Sequence, residues 1–307
     1  MAYGRRDNGY SDVTDSLDMI KDTAKILEII DITATSIPSV EENEYYQKKK
    51  ADFLEIFDRI SGSDRAERYF DELIKMGSGV GVYLKASALL RSAGIKYNGT
   101  ISNQTKLICR EVLDILEKDE YINVIKYHAA CQYMRLQLSW LCYNGNPLFA
   151  KERQLTSITE EQWSKLYQIC EEFKNNIINR NQDCSCVATI YYVMALAAAQ
   201  LNQYERAVEI WREVQEDDFY DLGRQYTWHI LCNPDGTPKI FNGTFNVRRP
   251  LQERRIHIKE MNRVVIYPSL QSIGKSDISG DAPNLCIGTS YRGFSAFSKD
   301  WKVRREH

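Results

Sequence analysis

The chain has 307 residues, 43% of them hydrophobic and 27% charged, and a formal net charge of −2. That composition excludes a disordered polyelectrolyte, and no apolar run is long enough to span a bilayer as a helix. The small net charge hides a division: residues 224–307 carry 14 Lys+Arg against 7 Asp+Glu, whereas residues 1–223 carry 26 against 35. An acidic body followed by a basic part points to a nucleic acid or another anionic partner, or to the basic part docking on the acidic body. The N-terminus, MAYGRRDNGYSDVTDSL, lacks the apolar core of a signal peptide, so a cytoplasmic location is expected. The eight cysteines are irregularly spaced, Cys184 and Cys186 form C-x-C, and His128, His229, His257 and His307 are scattered. No zinc-ligand spacing results; no metal or cofactor is expected, and the cysteines read as reduced core thiols.

Residues 1–11 read as a disordered start. Leu17, Ile20, Ala24, Leu27 and Ile30 then recur at helical spacing, and Glu41 to Ile60 continues with Tyr45, Phe53, Ile56 and Phe57 inward. The run Lys48-Lys49-Lys50 reads as a solvated face. Arg65 to Lys75 and Gly81 to Arg91 form a further helix pair around Met76-Gly77-Ser78-Gly79. The glycines at 77, 79 and 81 lack the Lys-Ser or Lys-Thr of a phosphate loop and follow a helix, so they read as its C-cap. Thr105 to Glu117 and Tyr121 to Tyr143 form the next pair, the second long and aromatic. Thr159-Glu160-Glu161-Gln162 resembles a capping box opening a helix through Trp163, Leu166, Ile169, Cys170 and Phe173. Ala188 to Val214 is the clearest helix pair, broken at Asn202-Gln203.

After Asp217-Asp218 the period changes from helical to alternating, which places a domain boundary near residues 219–226. Strands are expected over Tyr226 to Leu231, Lys239 to Val247, Arg254 to Ile258, Arg263 to Tyr267, Asn284 to Ser290 and Gly293 to Phe297. Asn233-Pro234-Asp235-Gly236 is a strong turn signal, and Gly274 to Pro283 reads as a loop.

Residues 188–214 resemble one tetratricopeptide repeat, with Ala195 and Ala207 at the small positions of its two helices and Trp211 at the large aromatic one. The resemblance implies a helical-repeat solenoid over residues 12–218 that holds a protein partner on its surface, or a scaffold that positions its neighbours. Residues 239–299 resemble a small OB-type barrel of the cold-shock kind, five short strands carried by IFNGTF, RRIHI, RVVIYPSL, NLCIG and RGFSAF. The two base-stacking motifs of that family are not reproduced: Arg254-Arg255-Ile256-His257-Ile258 and Val264-Val265-Ile266-Tyr267 stand in their places. The expected architecture is therefore mainly α: a tetratricopeptide-like body, an OB-like five-stranded barrel over 224–300 and a basic tail over 301–307.

Strand alternation puts Ile256 and Ile258 in the barrel and Arg255 and His257 outside, with Tyr267 joining them from the next strand. Arginine stacks on bases and contacts phosphate, and aromatic rings stack bases. Arg248, Arg249, Arg254, Arg263 and Arg292 would add sequence-independent phosphate contacts. These eight residues are the candidate interface for RNA or single-stranded nucleic acid; a solvated basic face and docking on the helices are the alternatives. No catalytic constellation is legible. Glu160-Glu161, Glu171-Glu172 and Asp217-Asp218 fall at helix ends or on exposed faces, and no Ser stands in a G-x-S-x-G elbow. The expectation is a non-enzymatic adaptor, or a protein-only regulatory module of a larger assembly with the barrel packed on helices or a partner.

Overall fold

A computed structural model describes residues 71, 74, 79–92, 102–144, 157–180, 186–214, 229–246, 255–269, 273, 280–290 and 293–299. Outside them lie the helices expected over 12–31 and 41–60, the Lys48-Lys49-Lys50 run, the boundary near 219–226, the tail and Arg248, Arg249, Arg254 and Arg292. Within them, helices α1 (Gly79–Ser92), α2 (Asn103–Leu116), α3 (Ile122–Ile125), α4 (Ala129–Asn144), α5 (Glu160–Asn176), α6 (Val187–Gln200) and α7 (Tyr204–Arg212) precede six strands. The strands are β1 (His229–Ile230), β2 (Ile240–Phe245), β3 (Ile256–Ile258), β4 (Ile266–Pro268), β5 (Asp281–Ser290) and β6 (Gly293–Ser298). The fold is thus mixed, helices followed by a C-terminal barrel.

The residues group into two compact units. The first holds α1, α2, α3 and α4 through Arg135. Cys109, Val112 and Leu116 form the buried stripe of α2, and Val82, Leu84, Ala86 and Leu90 are buried on α1. The long helix expected over Tyr121 to Tyr143 is broken. α3 ends after one turn, and His128 begins α4 by accepting the Cys131 amide on its own Nδ1 at 3.3 Å. A side-chain acceptor bonded to the third amide of a helix is a cap, and histidine is a rare choice for it. The glycine reading changes in the same place. Gly79 is the first residue of α1 and Gly81 lies within it, while Gly77 lies outside the described residues; the Gly79 α-carbon sits against the His128 ring. A Cβ there would stand 2.9 Å from His128 Cβ, and the Cys131 thiol donates to the Gly79 carbonyl at 3.3 Å.

The second unit holds the rest of α4, α5 through Lys174, α6, α7 and every strand. The capping box forms: the Thr159 amide donates to Gln162 Oε1 at 3.0 Å and the Gln162 amide to Thr159 Oγ1 at 3.3 Å. Trp163, Leu166, Ile169, Cys170 and Phe173 are all buried. α6 is buried along nearly its whole length, as the near-absence of polar residues in VATIYYVMALAAAQ requires. It turns into α7 through Asn202, whose φ of 63° suits asparagine.

Strands β2 to β6 close into a five-stranded barrel. β2 pairs antiparallel with β3 and with β5, β3 antiparallel with β4, β4 parallel with β6, and β6 antiparallel with β5. β1 lies outside the ring on β5, with His229 opposite Thr289. The strand tightens at Gly243, where the β2–β5 register shifts; a Cβ there would lie 2.6 Å from Ile256 Cγ2. A bulge with a glycine lets one strand serve two neighbours in a small closed sheet. β5 starts at Asp281, so the segment expected as a loop through Pro283 ends in strand. The Asn233–Gly236 turn forms as read: the Gly236 amide donates to the Asn233 carbonyl at 2.9 Å, Gly236 has φ 81°, and Asp235 Oδ1 accepts the Thr237 amide.

Candidate functional site

The barrel carries alternating strands, so each splits its side chains between core and outer surface. β3 does this with buried Ile256 and Ile258 and exposed His257. Ile256 is opposite Ile266 in β4, which brings Arg255 beside Tyr267 and His257 beside Val265. The Arg255 guanidinium lies 5.9 Å from the Tyr267 ring centroid, within the range of a cation–π contact. On the other side of β3, Thr244 is paired with His257, and on the other side of β4, Ser295 is paired with Tyr267. The outer face of β2, β3 and β4 is therefore a sheet surface of Thr244, His257, Val265, Arg255 and Tyr267. Val265 is 40% exposed and Tyr267 44%. Sequence reasoning had Arg255, His257 and Tyr267 on this face; Thr244 and Val265 were legible from the same alternation but were not singled out.

Arg263 is placed elsewhere. It follows β3 in a turn, with φ 69°, and its guanidinium approaches Glu205 of α7 at 3.9 Å. That contact edges an open cleft of about 610 Å³ whose walls include Tyr167, Tyr204, Glu205, Glu260 and Met261. On its wall Arg206 donates to the Tyr167 hydroxyl at 3.3 Å and, outside the cleft, to Glu209 at 3.1 Å. Burial, with the Glu260 carboxylate adding to it, pushes the Tyr204 phenol up to about 12, so it is neutral near pH 7.

The inner side of the barrel domain is held by residues that the sequence did not flag. Gln200, the last residue of α6, is 4% exposed. Its Nε2 donates to the Ile230 carbonyl at 2.9 Å and its Oε1 accepts the Cys232 amide at 3.0 Å, as a neighbouring strand would. Lys239 donates to the Gln200 carbonyl and to Asn202 Oδ1, both at 3.0 Å, closing the C-terminus of α6 with a cation. Burial pulls the Lys239 ammonium below the usual lysine range. Phe294 of β6 meets Trp211 edge-on at 4.9 Å and Tyr204 at 6.2 Å. The large aromatic residue of the α6–α7 pair thus packs against the barrel. The only signal for Gln200 was a polar residue closing an otherwise apolar helix.

Of the carboxylates weighed as catalytic pairs, Glu160, Glu161 and Glu171 are exposed and Glu172 accepts Gln168 Nε2 at 3.0 Å, while Asp217 and Asp218 lie outside the described residues. Among the described residues no group of three His, Cys, Asp or Glu side chains is arranged to hold a metal ion. Cys109, Cys131, Cys142, Cys170, Cys232 and Cys286 are buried, and burial pushes the Cys170 thiol far up. No described helix is long and apolar enough to cross a membrane. No protein-family model, curated protein or solved structure matches the chain.

Proposed function

We propose that this chain is a non-enzymatic, cytoplasmic adaptor whose helical body binds a protein partner and whose barrel contacts RNA or single-stranded nucleic acid through the outer face of β2, β3 and β4. The observation that carries the reading is the exposed Arg255–Tyr267 pair with His257 and Val265 beside it. A flat ring and a planar guanidinium offer stacking surface to a base, and arginine can reach phosphate from the same place. Supporting it are the strand order of the barrel, with β4 parallel to β6, which suits an OB-type barrel, and the basic balance of residues 224–307. The helix pair α6–α7 favours a tetratricopeptide-like end to the body, with Ala195 and Ala207 fully buried where the helices meet.

The second reading, a protein-only regulatory module with the barrel packed on the helices, draws on the contacts of Gln200, Lys239 and Phe294 with strands or helices of the same unit. The two readings separate by a pull-down of the full chain from extract with and without nuclease. Partners that vanish on nuclease treatment favour the first; a set of partners that nuclease leaves entirely unchanged favours the second. The direct test of the first is anisotropy with fluorescent oligouridylate and oligothymidylate at two salt concentrations. Replacing Tyr267 by Ala removes a stack of ~1–3 kcal/mol, a loss of roughly 5- to 150-fold in affinity. Unchanged affinity in Tyr267→Ala and Arg255→Ala would remove this face from the account.

A further inference from the structure

His229 stands in β1 with no exposed surface, where strand meets helix. From α6 the Tyr192 hydroxyl shares a 2.5 Å hydrogen bond with its Nδ1. From α4 the Trp140 ring meets its ring edge-on at 5.4 Å. From β5 the Thr289 hydroxyl donates to its backbone carbonyl at 3.2 Å. Its Nε2 has no hydrogen-bond partner. Among the described residues, the titratable groups of this region are ill suited to a new positive charge. Burial raises the Tyr192 phenol and keeps it neutral; the Cys232 thiol donates to the Ile230 carbonyl at 3.2 Å; the Lys239 ammonium, itself a cation, is engaged at the end of α6. The Glu160 carboxylate acts on Lys239.

We propose that His229 is an acid-sensitive latch: its neutral imidazole holds β1 against α4 and α6, and its protonation opens that junction before the helical core of the unit unfolds. The closed junction keeps the imidazole from ionising until about pH 3, with burial as the cause. Once open to water the ring returns to the ordinary histidine value of about 6.5. The open form therefore takes up a proton below about 6.5 that the closed form refuses. The ratio of open to closed rises roughly tenfold for each pH unit between those limits, and is independent of pH above them. The junction is the part to yield because β1 has two residues and pairs with the sheet on β5 alone.

The test is amide hydrogen exchange on the full chain from pH 7.5 to 4, corrected for intrinsic rates. The reporters are the Leu231 amide, bonded to the Ile287 carbonyl at 2.8 Å, and the Cys232 amide, bonded to Gln200. Both are expected to lose protection about tenfold per pH unit below 6.5, while core amides of α5 such as Ile169 do not. In His229→Gln the steep dependence disappears, and in His128→Gln, which alters another buried imidazole, it persists. Equal acid dependence in His229→Gln, pH-independent protection of Leu231 and Cys232, or loss of protection by all amides together would each overturn the latch. Should His229→Gln fail to fold, NMR of ring-labelled histidine in the wild type decides. A His229 ring that titrates near 6.5 while both amides stay protected contradicts the proposal; a ring that titrates only as they open upholds it.

Discussion

At the scale of single residues, the stability of the barrel domain rests on polar groups placed where they replace missing backbone partners. Gln200 is the clearest. Its amide presents one donor and one acceptor to the Ile230 carbonyl and the Cys232 amide. Replacing it by Leu keeps the volume roughly constant but orphans both, at on the order of 1–3 kcal/mol per buried group. Denaturant unfolding of Gln200→Leu is expected to show a lower midpoint and an unchanged slope; an unchanged midpoint would mean the two bonds are replaced by others. Gly79 tests the opposite kind of constraint. Alanine in an open helix position is worth about 1 kcal/mol over glycine. Here its Cβ would meet the His128 Cβ at 2.9 Å, so Gly79→Ala is expected to destabilise by about 1–3 kcal/mol instead. A stabilised Gly79→Ala in thermal unfolding would show that His128 moves aside freely. Neither residue was legible. Gln200 and Gly79 act through partners 30 and 49 positions away, and sequence spacing carries no record of such contacts.

At the scale of elements, what was legible followed from period and local chemistry. The buried stripe of α5, the Thr159–Gln162 box, the break at Asn202 and the turn at Asp235-Gly236 all rest on neighbours within four residues, and all form. The error over Tyr121 to Tyr143 has a different origin. The apolar spacing runs on through His128, so the pattern reads as one helix; the break comes from the histidine side chain taking a backbone amide, which periodicity does not see. In the strands, alternation located Arg255 and His257 outside, and the partner of Arg255 depended on the register Ile256 opposite Ile266. The junction between elements gives the prediction at this scale. Phe294 is 2% exposed and touches Trp211 and Tyr204. Phe294→Ala is expected to cost about 3–5 kcal/mol and to shift the Trp211 fluorescence toward that of a solvated indole. An unshifted spectrum with full stability would mean that α7 and β6 do not depend on each other.

At the scale of the whole chain, charge separates two described surfaces. In the open cleft Glu205 and Arg206 are each paired with a neighbour outside it, Arg263 and Glu209, whereas the outer barrel face carries Arg255 and His257 among exposed apolar groups and belongs to the basic stretch of sequence. Strands and helices share one compact unit, and β1 and β6 touch helices directly, so binding is to be measured on the full chain. A single aromatic ring is a modest platform, so the expected binding is weak, sequence-tolerant and strongly dependent on salt. Each phosphate neutralised lowers the logarithm of affinity by ~0.7 per decade of salt on single strands. The most direct measurement is anisotropy of a fluorescent oligouridylate with the full chain between 50 and 200 mM salt (about the range over which such contacts weaken markedly). The account predicts affinity that falls as salt rises and that Tyr267→Ala and Arg255→Ala each weaken at constant salt. Binding that ignores salt, or an oligonucleotide held equally well by both variants, would contradict it.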